Sequence, residues 1–293
     1  MKIPASLPLY SCLAFGVACM SCAAILIRLA EATPFAISAY RVSIAAVILI
    51  PITSIKQGND FLKWSTSVWL WSSLAGLLLA VHFATWITSL AYTSVASSVM
   101  LVTTAPVFVG MLSHWGLRER LSARMFTGIL VAVSGGVVIG YGDYTTGVDP
   151  LFGDLLAIAG AISAGGYFVI GRKLRGQVDL LPYITVVYST AAVWLVGLAL
   201  ATGQPMSGYT PSTYLILIGL AVGPQLLGHS SLNWALKYLS AVLVSVVILT
   251  EPIGSTILAY LILNEEVTRY TLIGGMLVLT GIYVVIGQER GER

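Results

Sequence analysis

The chain has 293 residues, of which 57% are hydrophobic and 9% are charged. A soluble domain carries roughly 25% charged residues, so this composition excludes an ordinary soluble protein and leaves no room for a soluble domain. The net charge is +3 with its basic residues scattered at segment ends, which indicates no nucleic-acid partner, and a mean hydropathy of +0.91 is typical of a helical membrane protein.

Ten apolar runs predict ten transmembrane helices, because about 20 apolar residues cross a bilayer. In chain order the runs cover residues 8–30, 34–55, 67–91, 94–114, 122–141, 151–171, 180–202, 212–236, 240–263 and 267–287. The first run is too long for the core of a signal peptide, and another run follows closely, so we expect a retained helix. The predicted fold class is an all-α integral membrane protein.

The basic residues predict the orientation of the chain. With ten spans both termini share one side, and 12 of the 15 Lys and Arg residues fall on that side. The other three are Arg28, Arg41 and Arg269. Because cytoplasmic loops are enriched in Lys and Arg, we expect a multi-pass protein of the cytoplasmic (inner) membrane with both termini cytoplasmic.

The second half of the chain repeats the first. At a constant offset of 146 residues, the matching pairs are Tyr92 and Tyr238, Ser94 and Ser240, Pro106 and Pro252, Glu119 and Glu265, Gly128 and Gly274, and Gly135 and Gly281. Each predicted repeat, residues 1–146 and 147–293, holds five spans, an odd number, so the two repeats should be inverted within one compact membrane domain. Inverted repeats place a binding site near the midplane and predict alternating-access transport.

Short motifs in the second, fourth and ninth helices resemble the drug/metabolite transporter superfamily, of the EamA type. The residues that carry the resemblance are Ser38-Ala39-Tyr40-Arg41, Thr104-Ala105-Pro106, Leu117-Arg118-Glu119, Thr250-Glu251-Pro252, Leu263-Asn264-Glu265 and the glycines of the fifth and tenth helices. The resemblance implies a ten-helix exporter of small organic metabolites, and amino-acid exporters of the YddG kind are among its members. The resemblance does not decide whether the substrate is an amino acid, a purine, a cation or a drug.

Glu251 and two prolines stand out within the predicted spans. An acidic residue at the centre of a span costs roughly 2.5–3.5 kcal/mol, so Glu251 should face a cavity or a partner. It could couple protons, bind an amine, or serve as a structural carboxyl group. Pro106 and Pro252 each remove one helical hydrogen bond, which favours a conformational role over a kink that only aids packing.

Two predicted helices each carry a polar face. His82 and Trp86 are four residues apart on the third helix, and Gln225, His229 and Asn233 repeat at the same spacing on the eighth. These side chains are candidates for substrate binding or for hydrogen bonds between helices. The lining could also include Met100, Thr103 and Tyr167, together with Tyr40, Tyr92 and Tyr188, although interfacial anchoring explains most tyrosines equally well.

Arg41 and the three cysteines give weaker indications of function than the residues above. Arg41 could capture a carboxylate, but we expect it to snorkel outward and pair with Glu31 or Glu265. The three cysteines, Cys12, Cys19 and Cys22, lack a second ligand cluster, so neither a metal nor another cofactor is expected.

Secondary transport is the function that these patterns favour. We expect a monomer in the lipid bilayer that exports a small zwitterionic or aromatic metabolite, with amino acids first and a cation, multidrug or purine exporter as the alternative. The scarcity of fixed charge argues against strongly anionic cargo. An enzyme is not expected, since the chain lacks His-Glu-x-x-His and Gly-x-Ser-x-Gly. A channel or a scaffold would not need an inverted repeat with paired prolines.

Overall fold

Helices make up all the regular structure in the described part of this computed structural model, which covers residues 6–58, 63–117, 122–141, 148–263 and 269–291. They are α1 Ser6–Ser21, α2 Ala23–Leu29, α3 Pro34–Gln57, α4 Thr66–Ser89, α5 Val95–Val102, α6 Ala105–Gly116, α7 Ala123–Tyr141, α8 Pro150–Arg175, α9 Leu180–Ala201, α10 Pro211–Leu220, α11 Ser230–Ala235, α12 Ala241–Ile248, α13 Glu251–Leu258 and α14 Arg269–Gly291. Two π-helical segments, Ala221–His229 and Ala259–Leu263, follow α10 and α13.

The helices have the length and composition of membrane spans. Within the described ranges, eight helical segments are long and apolar enough to cross a bilayer, and two shorter apolar helices, Ala123–Val138 and Leu272–Val285, accompany them. The prediction of an all-α membrane protein is confirmed, whereas the count of ten spans stays a prediction. Several residues used in the sequence argument lie outside the described residues: Lys2, Arg118, Glu119, Arg120, Asn264, Glu265 and Arg293.

Three of the predicted spans are interrupted near their middle. The first breaks at Cys22, between α1 and α2. The other two breaks precede the two prolines, so that Pro106 is the second residue of α6 and Pro252 the second residue of α13. A proline fits the first turn of a helix because its missing N–H would have had no partner there.

Helices α7 and α14 pack antiparallel through glycines. A Cβ atom added to Gly135 would lie 2.7 Å from the backbone nitrogen of Val278, and one added to Gly281 would lie 2.6 Å from that of Ala132. The absence of these side chains lets the two backbones approach closely, as small residues commonly do in membrane helix pairs. The two contacts are equivalent, because Gly281 lies 146 residues after Gly135 and Val278 lies 146 residues after Ala132.

Equivalent serines begin α5 and α12. The Ser94 hydroxyl oxygen accepts from the Ser97 N–H at 3.0 Å, and the Ser240 hydroxyl oxygen accepts from the Leu243 N–H at 3.1 Å. Each bond satisfies an N–H group that the first turn of a helix leaves free. The sequence pair Ser94 and Ser240 therefore performs the same local task in both halves.

Candidate functional site

A cavity lies between helices of both halves, and its atom-free space, counted together with the open space at its mouth, is about 540 Å³. Its lining comes from both halves of the chain: Met20, Ala23, Arg41, His82, Trp86, Val102, Thr103, Ala105, Pro106, Ala164, Tyr167, Phe168, His229, Ser245, Ile248 and Glu251. Most of the wall is apolar or aromatic, with a few polar groups among it. That composition is typical of a site for a small organic molecule.

Arg41 is buried against the cavity, with 1% of its surface exposed. Its Nε donates to Oε1 of Gln225 at 2.9 Å, and its guanidinium carbon lies 4.2 Å from the centre of the Phe83 ring. The expected outward snorkelling is wrong, because these contacts hold the side chain inward. Glu265, one of the two expected partners, lies outside the described residues. Sequence reasoning considered capture of a carboxylate by Arg41 but could not identify these two contacts, since both come from residues distant in the chain.

The two predicted polar faces meet at this cavity. The rings of His82 and Trp86 are stacked, with centres 5.7 Å apart, and the His229 ring lies 6.4 Å from His82. Nδ1 of His82 lies 3.0 Å from the carbonyl oxygen of Gly160. Because a carbonyl oxygen only accepts, this contact requires a proton on Nδ1.

Gln225 and Asn233 stand behind the lining rather than in it. Gln225 fixes Arg41, while Nδ2 of Asn233 donates to the Tyr167 hydroxyl group and, at 2.8 Å, to the carbonyl oxygen of His229. Gln225 and His229 belong to the π-helical segment that contains Pro224. Such wide turns often occur at functional sites because they re-aim side chains.

Glu251 faces the cavity at the broken span α12–α13. Hydrogen bonds to the equally broken first span hold its backbone: the Ser21 hydroxyl donates to the Glu251 carbonyl oxygen at 3.4 Å, and the Ser255 hydroxyl donates to the Ser21 carbonyl oxygen at 3.0 Å. Among the described residues no ion pair joins Glu251 to Arg41, although both line the same cavity.

Several buried polar atoms at this cavity lack hydrogen-bond partners. Within the described ranges they are Nη1 of Arg41, Nε1 of Trp86 and Nδ1 of His229. A buried donor without a partner costs about 1–3 kcal/mol, and more when it is charged. Unpaired polar atoms on three residues that line one cavity are therefore evidence for a ligand or water that would satisfy them.

A second polar cluster lies between α8, α9 and α11. Arg175 is buried, and its Nε donates to the carbonyl oxygen of Asn233 at 3.1 Å while its Nη1 donates to that of Val178. Asn233 in turn holds Tyr167, which lines the cavity. The end of α8 is thus linked to the wall of the site through Asn233, whose backbone accepts from Arg175 and whose side chain donates to Tyr167.

The remaining candidates divide between the cavity and its surroundings. Thr103 and Pro106 line the cavity, whereas Pro252 does not. Val102 and Ile248, whose carbonyl groups would accept from residues 106 and 252 in a continuous helix, also line it. Met100 does not line it but packs towards Gly136 of α7, which corrects its placement. Among the additional tyrosines, Tyr40 instead donates to the Met206 carbonyl oxygen at 2.6 Å, and Tyr92 packs on Phe152.

Comparison with known proteins identifies the family. A sequence model of the EamA-like transporter family matches residues 8–141 and again residues 151–287. The chain belongs to the EamA-like transporter family. The predicted membership of the drug/metabolite transporter superfamily is confirmed, and the protein is a multi-pass membrane transporter. The two matches fall within the two predicted repeats.

Individual relatives are distant but cover much of the chain. A protein named an uncharacterized transporter from Archaeoglobus fulgidus is 26% identical over 270 residues, which is 90% of this chain and 91% of that protein. YetK, an uncharacterized transporter from Bacillus subtilis, is 27% identical and covers 87% of this chain and 79% of its own. A probable terminal-alkyne amino-acid exporter from Streptantibioticus cattleyicolor is 25% identical, with 66% and 65% covered.

The fold also resembles a solved structure. One crystal structure superposes with a TM-score of 0.79 over 97% of this chain and 99% of its own, at 19% identity. A likeness at this identity establishes the shared fold and leaves the substrate to be argued from the site.

Proposed function

We propose that this EamA-family protein exports small zwitterionic metabolites, neutral or aromatic amino acids first among them, across the cytoplasmic membrane. The observation that carries the proposal is the placement of Arg41 and Glu251 on one buried cavity without an ion pair between them in the described structure. An amino acid presents a carboxylate to the guanidinium and an ammonium to the carboxyl group. Its binding would satisfy both groups, which are costly to bury alone.

The rest of the lining suits the side chain of such a substrate. Trp86, Tyr167 and Phe168 supply flat apolar surfaces, and Nε1 of Trp86 and Nδ1 of His229 offer unpaired polar atoms. Aromatic walls with a few placed polar groups accommodate a neutral or aromatic side chain better than a charged one. The name of the Streptantibioticus relative, an amino-acid exporter, supports the same class of cargo.

Alternating access between two inverted repeats is the mechanism that we propose. The paired breaks before Pro106 and Pro252 and the mirrored glycine contacts of α7 and α14 support an internal two-fold relation. An isologous contact repeats each residue pair with the roles of its two members exchanged, as these glycines do. Rocking of one half against the other would expose the central cavity to each side in turn.

An exporter of organic cations is the alternative within this fold. Glu251 beside Trp86, Tyr167 and Phe168 would suit an ammonium ion, because aromatic faces attract cations. Arg41 opposes it, since a fixed guanidinium on the same cavity repels a substrate that carries only positive charge. Amino acids therefore come first.

Counterflow in proteoliposomes tests the proposal directly. Vesicles preloaded with an unlabelled compound are given a trace of the labelled one, across amino acids, purines and organic cations, with and without a pH gradient. We expect accumulation for neutral and aromatic amino acids and for no decarboxylated amine. Accumulation of amines in preference to amino acids would establish the cation alternative, and an inert panel would overturn the proposal. Uptake that never shows counterflow would indicate a channel.

A further inference from the structure

A groove opens on the outer surface of the helices between α4, α6 and α8. It has about 840 Å³ of atom-free space, and its wall is largely apolar. The residues that form it include Trp71, Leu112, Trp115, Leu117, Val169 and Ile170. Gly166 also lines the groove, and Trp115 at the rim is 73% exposed.

Lys173 supplies the positive charge of this groove. Its ammonium group lies 4.0 Å from the centre of the Trp71 ring, and among the described residues no carboxylate pairs with it. The two arginines of the same helical turn point elsewhere, because Arg172 donates to the Leu236 carbonyl oxygen at 2.9 Å and Arg175 to that of Asn233. Lys173 is thus the cation of this turn that faces the groove.

A second surface groove provides an internal contrast. It lies at the other end of α4 and α8, where they meet α3 and α9, and has about 940 Å³ of atom-free space. Its wall is built from residues such as Phe35, Leu77, Val81, Phe152, Trp194 and Leu198, and none of its described lining residues is charged. The two grooves offer similar atom-free volume, but among their described lining residues the first has a cation and the second has none.

We propose that the Lys173 groove binds one phospholipid with an anionic headgroup. The acyl chain would lie along the apolar wall, and the phosphate would meet the ammonium of Lys173 at the level of the two tryptophans. Basic residues beside clefts at the end of a membrane helix attract anionic headgroups, and tryptophan rings favour the depth of the headgroups. This site is separate from the transport cavity and does not depend on the proposed substrate.

Native mass spectrometry of the delipidated full-length protein tests the proposal. The protein is titrated with phosphatidylglycerol and with phosphatidylcholine of the same acyl chains, and the occupancy of the first lipid is measured for each. One lysine near an anionic headgroup corresponds to about fivefold in affinity, so phosphatidylglycerol should bind about fivefold more tightly. Lys173→Gln, which removes the charge and keeps a polar side chain, should remove that preference.

Three further variants make the outcome specific to the groove. Val169→Trp fills the Lys173 groove and should weaken the binding of both lipids. Val81→Trp fills the uncharged groove, and Lys237→Gln removes a lysine that lines neither groove; both should leave the preference unchanged. Equal affinities for the two lipids in the unmodified protein would overturn the proposal. So would a preference that survives Lys173→Gln or one that Lys237→Gln abolishes equally.

Discussion

The two broken spans α5–α6 and α12–α13 have the same backbone interruption, but the side chain that follows the interruption differs between them. The Thr104 hydroxyl donates to the Leu101 carbonyl oxygen at 2.7 Å, and the Thr250 hydroxyl donates to that of Val247 at 2.8 Å. The offset of 146 residues relates both partners of these bonds. The next position is Ala105 in the first span and Glu251 in the second, and both face the cavity.

This contrast separates what the repeat supplies from what the substrate needs. The threonine hydrogen bonds and the prolines found at the break occur in both halves. The two charged residues of the cavity, Arg41 and Glu251, have no charged counterpart at the equivalent position of the other half. Arg41 stands in the first half. The second helix matches its counterpart at an offset of 148 residues, which relates Pro34 to Pro182 and Tyr40 to Tyr188, and at this offset the residue equivalent to Arg41 is Ser189. A zwitterion held between Arg41 and Glu251 would therefore touch both halves, so that binding and relative movement of the halves would be coupled.

The largest effect is expected when the carboxylate itself is removed. Glu251→Gln keeps the shape of the side chain but loses the charge that we assign to the substrate ammonium. A hydrogen bond between charged groups contributes about 1.5–3 kcal/mol, so counterflow of amino acids should fall by a factor of about 10 to 150. The measurement is initial counterflow in proteoliposomes at equal protein content.

Ala105→Ser is the matched control for Glu251→Gln. It adds a hydroxyl group at the equivalent position of the other broken span and leaves both charges in place, so transport should change by less than about twofold. If Glu251→Gln transports like the unmodified protein, the carboxyl group is structural and the proposed recognition fails. Equal losses in both variants would mean that the cavity tolerates no change, whatever the charge.

Sequence patterns predicted features that have a local signal better than features that depend on packing between distant segments. Apolar runs and the paired prolines are local signals, so they indicated the helices and the positions of Pro106 and Pro252. The inward position of Arg41 depends on Gln225 and Phe83, which lie on two other spans. Packing between distant segments leaves no local signal, and hence neither this contact nor the turn of Met100 towards Gly136 could be read from the sequence.

Helices α7 and α14 allow a second comparison of the two halves, because equivalent glycine substitutions there should destabilise the protein equally. Gly135→Ala and Gly281→Ala each place a methyl group against backbone atoms of the opposite helix. Overpacking of this kind costs about 1–3 kcal/mol, and the two losses should agree within about 1 kcal/mol. Thermal unfolding in detergent, followed by size-exclusion chromatography, provides the measurement.

Gly197→Ala is the control for these glycines, because an added Cβ there meets no described atom within 4 Å. It should leave the protein as stable or slightly more stable, since alanine is favoured over glycine in a helix by roughly 0.5–1 kcal/mol. A large loss at Gly281 with none at Gly135 would argue against a two-fold relation between the halves.

Arg41→Lys tests the charge that belongs to the first half. Lysine keeps the positive charge, but one ammonium group cannot both donate to Gln225 and present a flat fork to a carboxylate. We expect the apparent affinity for amino acids to fall about tenfold, the loss of one charge-assisted hydrogen bond. The apparent affinity is measured from the concentration of unlabelled amino acid that inhibits counterflow of the labelled one by half. An unchanged affinity would show that Arg41 serves the fold and not the substrate.

The smallest effects are expected at the prolines, and they bear on movement rather than on recognition. Pro106→Ala and Pro252→Ala each restore an N–H group that can donate to the carbonyl oxygen of Val102 or Ile248 and so straighten the span. One hydrogen bond contributes about 1 kcal/mol, so each variant should slow exchange about fivefold while substrate affinity changes less than about twofold. Single-turnover exchange and equilibrium binding, measured on the same preparations, separate the two quantities. Because the breaks are equivalent, the exchange rates of the two variants should fall by similar factors. A slower rate in Pro252→Ala alone would mean that only the span bearing Glu251 bends during transport. The two halves would then not exchange roles.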